Sequence, residues 1–264
     1  MNLVVGDTSQ LYPYFQELDP NIMGVSSRNF DVNQIKNYKF DRAFITFAEQ
    51  RLNLNESLDF FTKINVDYTI KVINELRPYV KTFVVYSTSD LWDLCDGEIT
   101  LDTPRLNRGT PYALSKMIME DRINDLRINH NVDIKIVYPF NFNSPYRRSH
   151  FLFYKFMEVI LQGKKIEVGD LNFDRDIVNP KLIVESSFNT DKDVIVGSGI
   201  LTNVKQFYVD LLENFSINYN DMVTENISNH VNSRKCFFLD TKNKYTTLLN
   251  DTVDDIRKYK NRIG

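Results

Sequence analysis

The sequence predicts an α/β fold, a doubly wound parallel sheet followed by a smaller C-terminal lobe. Three observations carry this expectation. Short apolar runs alternate with amphipathic stretches through the first half, no repeat or Pro/Gly/Ser-rich linker splits the chain, and the rhythm changes after Pro139. Strands are expected at Leu3 to Val5, Ile22 to Val25, Ala43 to Phe47, Thr82 to Tyr86 and Ile134 to Tyr138, each rich in β-branched or aromatic residues and bounded by polar ones. Such runs suit a sheet covered on both faces. Helices are expected between them at about Gln10 to Glu17, Ser57 to Leu76 and Tyr112 to Asn129, the second carrying Phe60, Phe61, Ile64, Tyr68, Val72, Ile73 and Leu76 at helix-like spacing. Alternation of the two kinds implies crossover connections between parallel strands. Beyond Pro139 come an amphipathic Phe151 to Leu161 segment, a strand region between Gly163 and Gly169, a strand near Val194 and helices near Val204 and Val253. The expected division is a main domain over 1–140 and a small lobe over 141–264 that returns some elements to the main sheet.

A chain of 264 residues with 42% hydrophobic content buries one substantial core. Its 32 basic and 35 acidic residues leave a formal charge of -3, which provides no field to hold nucleic acid or an anionic membrane. Cys95 and Cys236 have no metal-ligand spacing, and neither a signal-like nor a membrane-spanning apolar run is visible. The expectation is a soluble, cytoplasmic protein without a metal site. His130, His150 and His230 lie far apart without a partner motif and read as ordinary surface or lobe residues.

The strongest chemical signal is Tyr112-Ala-Leu-Ser-Lys116 at the start of an expected helix, preceded by the hydroxyl cluster Ser87-Thr88-Ser89 at the end of an expected strand. A spacing of four residues is about one helical turn, so the phenol and the ammonium share a face. A cation beside a phenol favours the phenolate, and a hydroxyl from Thr88 orients the same substrate oxygen. The group so formed takes a proton from an alcohol while a cofactor takes the hydride.

In their order these residues resemble the extended short-chain dehydrogenases, the nucleotide-sugar epimerase/dehydratase group. Asn65-Val-Asp-Tyr-Thr69 is similar to its Asn-Val-x-x-Thr helix start, Phe83-Val-Val-Tyr-Ser-Thr-Ser-Asp90 to its strand ending in the active-site hydroxyl, and Thr110-Pro-Tyr-Ala-Leu-Ser-Lys116 to its catalytic helix. Tyr138-Pro-Phe-Asn-Phe-Asn-Ser-Pro145, Asp174-Arg-Asp176 and Gly197-Ser-Gly199 resemble further segments of the group. The resemblance implies a Rossmann-type dinucleotide-binding domain, NAD or NADP as cofactor, a nucleotide sugar as substrate and a homodimer. It places the cofactor on Gly6, Gln10 and Leu11 of the loop after the first strand. Asp31 and Val32 then touch the adenine, Phe47 and Ala48 pass the phosphates and ribose, and Tyr112, Lys116 and Pro139 complete the site.

The chain departs from the group in the loop Gly6-Asp-Thr-Ser-Gln-Leu-Tyr12, where Ser9 and Tyr12 stand at the second and third glycine positions. Tyr12 puts a large ring where helix and strand pack closest. A catalytically silent Rossmann-like scaffold is therefore the competing functional class. The second strand ends in Ser26-Ser-Arg28 in place of an acidic residue, so Ser27 and Arg28 favour a 2′-phosphate, hence NADP, unless Arg28 is a solvated loop residue.

Ser87-Thr-Ser-Asp-Leu-Trp-Asp93 resembles the Ser-Thr-Ser-Glu-x-Tyr-Gly of GDP-mannose 4,6-dehydratases and UDP-glucuronate decarboxylases, which makes Asp90 a candidate second acid/base at sugar C5. The loop Phe140 to Arg148 resembles that of the GDP-mannose dehydratases, and the resemblance assigns Asn141, Arg147 and Arg175 to the substrate diphosphate. Leu91-Trp-Asp93 is also similar to the Val-Phe-Asp of dTDP-sugar reductases, so dehydratase, epimerase and reductase chemistry all remain open.

Overall fold

The computed structural model describes residues 1–51, 56–147, 149, 151–226, 235–237 and 244–263. His150 and His230 lie outside the described residues. The chain opens with β1 (Asn2–Val5), α1 (Tyr12–Leu18) and β2 (Met23–Val25). After β3 (Phe40–Ile45) come α2 (Leu58–Thr62), a π-helical turn (Lys63–Tyr68) and α3 (Thr69–Leu76). Next are β4 (Val80–Tyr86), β5 (Asp96–Glu98), α4 (Pro111–His130), β6 (Ile134–Pro139) and β7 (Asn141–Phe142). They lead into α5 (Leu152–Gln162), β8 (Ile166–Gly169), β9 (Asp174–Val178), α6 (Pro180–Asn189) and β10 (Val194–Val196). The last elements are β11 (Leu201–Asn203), α7 (Val204–Glu213), α8 (Tyr219–Met222), β12 (Val223–Asn226), β13 (Lys235–Phe237) and α9 (Tyr245–Ile263).

Two compact units form. The first takes residues 1–91, 107–139 and 183–195, and the second 92–106, 140–182 and 196–264. Residues 92–106 group with the second unit and 183–195 with the first.

The first unit is built on a six-stranded sheet in the order β10-β6-β4-β3-β1-β2, with β2, β1, β3, β4 and β6 parallel. Val4, Phe44 and Val84 are fully buried, as expected for a sheet covered on both faces. Phe44 rests between Phe15 of α1 and Phe188 of α6, with ring centroids 4.6 and 4.8 Å away. The chain leaves β1 for β2 on one side and returns to β3 on the other. The reversal opens a crevice at the C-terminal ends of β1 and β3, the place where doubly wound sheets bind ligands.

Element bounds shift by a few residues in places, and two differences have a clear physical reason. β3 begins at Phe40 because that ring is buried and pairs with Val80, while the polar Asp41 at the exposed strand end meets Lys81 and the N-terminus. The helix expected over Ser57 to Leu76 contains the π turn, whose extra residue turns both Asn65 and Val66 inward.

In the second unit the apolar face of α5 is consumed by its own core, where Phe153, Phe156 and Met157 pack with Phe207, Leu211 and Ile256. Phe156 stacks on Tyr208 at 3.7 Å. Here β11, β9 and β7 form a three-stranded sheet, and β12 pairs with β8 and β13 with β5. Among the described residues no helix is long and apolar enough to cross a membrane, and no group of three or more His, Cys, Asp or Glu side chains could hold a metal ion.

Candidate active site

Gly6 follows β1 at φ 115°, a conformation L side chains rarely adopt, and a methyl group there would sit 2.6 Å from Thr46 Oγ1. Thr46 closes the contact, its hydroxyl lying 3.1 and 3.2 Å from the carbonyls of Val5 and Gly6. Ser9 keeps the turn tight without being glycine. Its amide donates to the Gly6 carbonyl, its carbonyl accepts from the Tyr12 amide, and its Oγ accepts from the Leu11 amide. Gln10 is half-buried, and buried Leu11 begins α1 without a side-chain cap.

The crowding expected from Tyr12 is relieved by Gly24 of β2. A methyl group on Gly24 would lie 2.5 Å from Tyr12 Cζ, so the ring occupies the space that a side chain on β2 would need. Burial and the nearby Asp7 carboxylate push the Tyr12 phenol up. Asp7 Oδ1 itself is buried without a hydrogen-bond partner.

Beyond β2, Ser27 is half-buried and its carbonyl accepts from Tyr68 Oη at 2.5 Å, while Arg28 is exposed. Exposed Asp31 caps the turn at Val32–Gln34, accepting from the Asn33 amide and Nδ2, each at 2.9 Å, and Val32 is half-buried. Phe47 and Ala48 follow β3 half-buried, the Phe47 ring 5.2 Å from that of Tyr68. Pro139, also half-buried, ends β6.

Helix α4 is started by the Thr110 cap, whose hydroxyl accepts from the Ala113 amide, and by Pro111 in its first turn. Tyr112 and Lys116 therefore occupy the first two turns. Tyr112 is 7% exposed and meets Phe61 edge-on, and Lys116 is 2% exposed. Lys116 Nζ donates to the Tyr86 carbonyl at 2.8 Å, which pins the ammonium to the end of β4 just before the hydroxyl cluster. Burial brings the Lys116 pKa down to about 8, with Glu120 one turn further on acting in the opposite direction. Glu120 in turn accepts from Ser87 Oγ at 2.6 Å. Thr88 is buried and its Oγ1 accepts from the Asp90 amide at 3.1 Å, which leaves its proton to be given elsewhere. Asp90 lies half-buried in the short turn Ser89–Trp92.

Asn65, fully buried by the π turn, ties these parts together. Its Oδ1 accepts from the Glu49 amide, and its Nδ2 donates to the Glu49 carbonyl and to Ser115 Oγ at 3.0 Å. One side chain thus fixes the segment after β3 against the helix of Tyr112 and Lys116. The Arg51 guanidinium lowers the pKa of the Glu49 carboxyl from its ordinary value.

The second unit contains a cavity of about 180 Å³ whose lining includes Asn141, Arg147 and Arg175. The three candidate substrate residues are therefore brought together. The Arg147 guanidinium lies 3.9 Å from the Phe151 ring centroid and bonds the Phe142 carbonyl, and that of Arg175 lies 4.5 Å from the Phe173 ring and bonds the Asp174 carbonyl. Two further groups belong to this region. Asn143 Nδ2 and Thr202 Oγ1 are buried without a hydrogen-bond partner, and Thr202 stands opposite Arg175 in the β9–β11 ladder. Asp176, next to Arg175, is turned the other way and accepts from the amides of Ser198 and Gly199. The Asp174-Arg-Asp176 and Gly197-Ser-Gly199 segments are thereby one hydrogen-bonded structure.

The sequence profile of the NAD dependent epimerase/dehydratase family matches residues 9–184, which include α1, the Asn65 helix, the β4 hydroxyl cluster, the Tyr112–Lys116 helix and Arg175. The chain belongs to that family. No curated protein sequence matches it. Among solved structures, the fold is similar to that of a UDP-glucose 4-epimerase from Thermotoga maritima in complex with UDP-glucose, with a TM-score of 0.81, 16% identity and all of each chain covered. RMD from Pseudomonas aeruginosa, complexed with NADPH, gives a TM-score of 0.79 at 14% identity, covering 97% of this chain and 99% of that one. A dTDP-glucose 4,6-dehydratase from Streptomyces venezuelae with NAD bound gives 0.77 at 17% identity, covering 98% and 97%.

For this epimerase/dehydratase family member the residues present fit a dinucleotide. Gly6 has the backbone form and the close approach to Thr46 that the turn requires, and the Tyr12 ring is spent against Gly24 on β2. Gly24, Thr46, Ser115, Glu120, Asn143 and Thr202 carry no signal of such roles in the sequence. Asn65 was visible only as part of a resemblance; a buried amide in a helix otherwise inward-facing with apolar residues was the available signal.

Proposed function

We propose that this protein is a nicotinamide-dinucleotide-dependent enzyme acting on nucleotide sugars, in which Tyr112 takes the proton from a sugar hydroxyl. The observation that carries the reading is the buried Lys116 ammonium, anchored on the Tyr86 carbonyl four residues along α4 from the phenol and beside the strand end that carries Thr88. The dinucleotide, when bound, supplies the hydride acceptor. Gly6, Gln10 and Leu11 would hold its pyrophosphate, and Ser27, Arg28, Asp31 and Val32 its adenosine end. Phe47, Ala48, Lys116 and Pro139 would hold the remainder. The fold's likeness to proteins complexed with NAD and NADPH supports this, and the exposed Arg28 in place of an acidic residue favours NADP.

Thr88 gives its proton to the substrate oxygen, since its own oxygen already accepts the Asp90 amide. The Tyr112 phenolate, favoured by the nearby ammonium, accepts the hydroxyl proton as the sugar carbon becomes a carbonyl. In the dehydratase form of the reading, Asp90 then removes the C5 proton that the new C4 carbonyl acidifies. An epimerase or reductase has no such step. Asn141, Arg147 and Arg175 bind the substrate diphosphate through guanidinium and amide donors. A cytoplasmic homodimer belongs to the same proposal. With the α5 apolar face spent on its own core, another surface makes the pairing, which equilibrium sedimentation reads.

Calorimetry with NAD and NADP tests the cofactor, and failure of both to bind at millimolar concentration leaves a Rossmann-like scaffold in place of an enzyme. Incubation with GDP-mannose, UDP-glucuronate and dTDP-glucose in deuterated water tests the reaction. Deuterium at C5 that disappears in Asp90→Asn supports the dehydratase, and C5 exchange that survives removes Asp90 from the mechanism.

A further inference from the structure

The segment from Ser26 to Ile35 joins β2 to β3 without a strand of its own. Its hydrogen bonds are largely local, from the Arg28 amide to Ser26 Oγ, the Asn33 amide to Asp31 and the Ile35 amide to the Val32 carbonyl. Its far end is anchored by Ile35, which is fully buried. Its near end, which carries Ser27 and Arg28, is gripped by a side chain from another element. Tyr68 donates its hydroxyl to the Ser27 carbonyl at 2.5 Å, and the Phe30 amide acts on the same phenol oxygen. The ring rests on Phe47 with centroids 5.2 Å apart. Tyr68 is the last residue of the π turn, a distortion found frequently at functional sites.

The sheet order gives this bond its meaning. Tyr68 lies in the connection from β3 to β4, and Ser27 lies just past β2, on the other side of β1. The bond therefore joins the connection that follows β3 to the one that follows β2, the two strands that flank β1. We propose that Tyr68 is a specificity-determining positioning residue that holds Ser27 and Arg28 ready for the 2′ substituent of the dinucleotide's adenosine ribose. A loop fixed before binding loses less conformational freedom on binding, and the contacts that benefit most are those made by the loop itself. The inference rests on the dinucleotide reading of the preceding section.

The test is titration of wild type, Tyr68→Phe and Tyr68→Ala with NADP and with NAD by calorimetry, at fixed ionic strength. Tyr68→Phe keeps the ring on Phe47 and removes the hydroxyl alone. The expected result is NADP binding weaker by roughly three- to tenfold, the range of one net hydrogen bond, with NAD binding changed less, so that the ratio of the two affinities falls. Tyr68→Ala lowers the ratio further. A ratio unchanged in Tyr68→Phe, or NADP binding that tightens because the phenol was obstructing the crevice, overturns the inference and leaves the dinucleotide reading standing. Wild type that binds neither dinucleotide overturns both.

Discussion

The ring of Tyr12 lies on the bare backbone of Gly24, so that a large residue at the head of α1 and a missing side chain on β2 fill one space between them. The large ring of Tyr12 is thus matched within the same unit, and the two positions are expected to be energetically coupled. Gly24→Val is expected to destabilise the protein by about 1–3 kcal/mol through overpacking, and Tyr12→Gly to leave a void. The double variant should be more stable than the two single effects added together, by on the order of 0.5–3 kcal/mol, when urea unfolding is followed for all four proteins. Strict additivity would mean that the two residues do not share the space.

Tyr112→Phe removes one oxygen and keeps the ring against Phe61. Turnover should fall by at least about a hundredfold, the lower range for loss of a general base, while the unfolding midpoint moves little. Progress curves with nucleotide-sugar substrates and thermal melts of the same preparation give both numbers. A variant with full activity removes Tyr112 from the chemistry.

Much of this site was legible in the residues themselves. The strand ends and the helix start of Thr110-Pro-Tyr112 follow from local rules of apolar runs and capping, which is why Thr88 and the Tyr112–Lys116 turn fall where expected. The Tyr12–Gly24 exchange was not legible, because the two residues come from different elements and each alone reads as an ordinary substitution. The π turn was hidden for a related reason: Phe61, Val72 and Leu76 fit an ordinary helical spacing, and only the inward turn of Asn65 towards the Glu49 backbone betrays the extra residue. The cavity of Asn141, Arg147 and Arg175 gathers residues from β7, β9 and the loop between β7 and α5, so only a resemblance, and no periodicity, grouped them.

Asn65 is predicted to act through position. Asn65→Leu keeps the branched heavy-atom shape but strands the Glu49 amide and carbonyl, each a buried group that costs about 1–3 kcal/mol when left unpaired. The variant should unfold at a lower temperature and bind dinucleotide more weakly, because the segment Phe47 to Glu49 loses its tie to α4. Asn65→Asp keeps the acceptor for the Glu49 amide but turns a buried carboxylate oxygen onto the Glu49 carbonyl, so at neutral pH it should be at least as damaging as Asn65→Leu. Wild-type stability and dinucleotide affinity in both variants would show that the side chain ties nothing together.

The cavity of the second unit gives a prediction for substrate. Arg147→Ala and Arg175→Ala should each weaken binding of nucleoside diphosphates by about tenfold or more, the scale of a charge-assisted hydrogen bond, without affecting dinucleotide affinity. Titration with UDP, GDP and dTDP reads this directly and ranks the bases at the same time. Unchanged affinity for all three would remove the two arginines from substrate binding.

Lys116 sets a pH dependence whose sign can be worked out. Burial lowers its pKa from 10.5 to about 8, so between those values the unfolded chain carries a proton that the folded chain does not. Where the unfolded state binds more protons, stability rises with pH. The contribution of Lys116 is therefore complete above the unfolded value and is lost as pH falls through about 8. The slope is at most about 1.4 kcal/mol per pH unit. On the proposed mechanism activity runs the other way, because the Lys116 ammonium assigned there to supporting Tyr112 is lost as pH rises past about 8. The groups around the ammonium are the Tyr86 carbonyl, Met119 Sδ at 3.8 Å and the Glu120 carboxylate, and only the last raises its pKa by charge. Glu120→Gln should accordingly move the alkaline limb of the kcat/KM profile to lower pH, while Lys116→Met should abolish both that limb and the alkaline rise in stability. Glu120→Gln with an unmoved limb, in a protein that still folds, would assign the limb to a group other than Lys116.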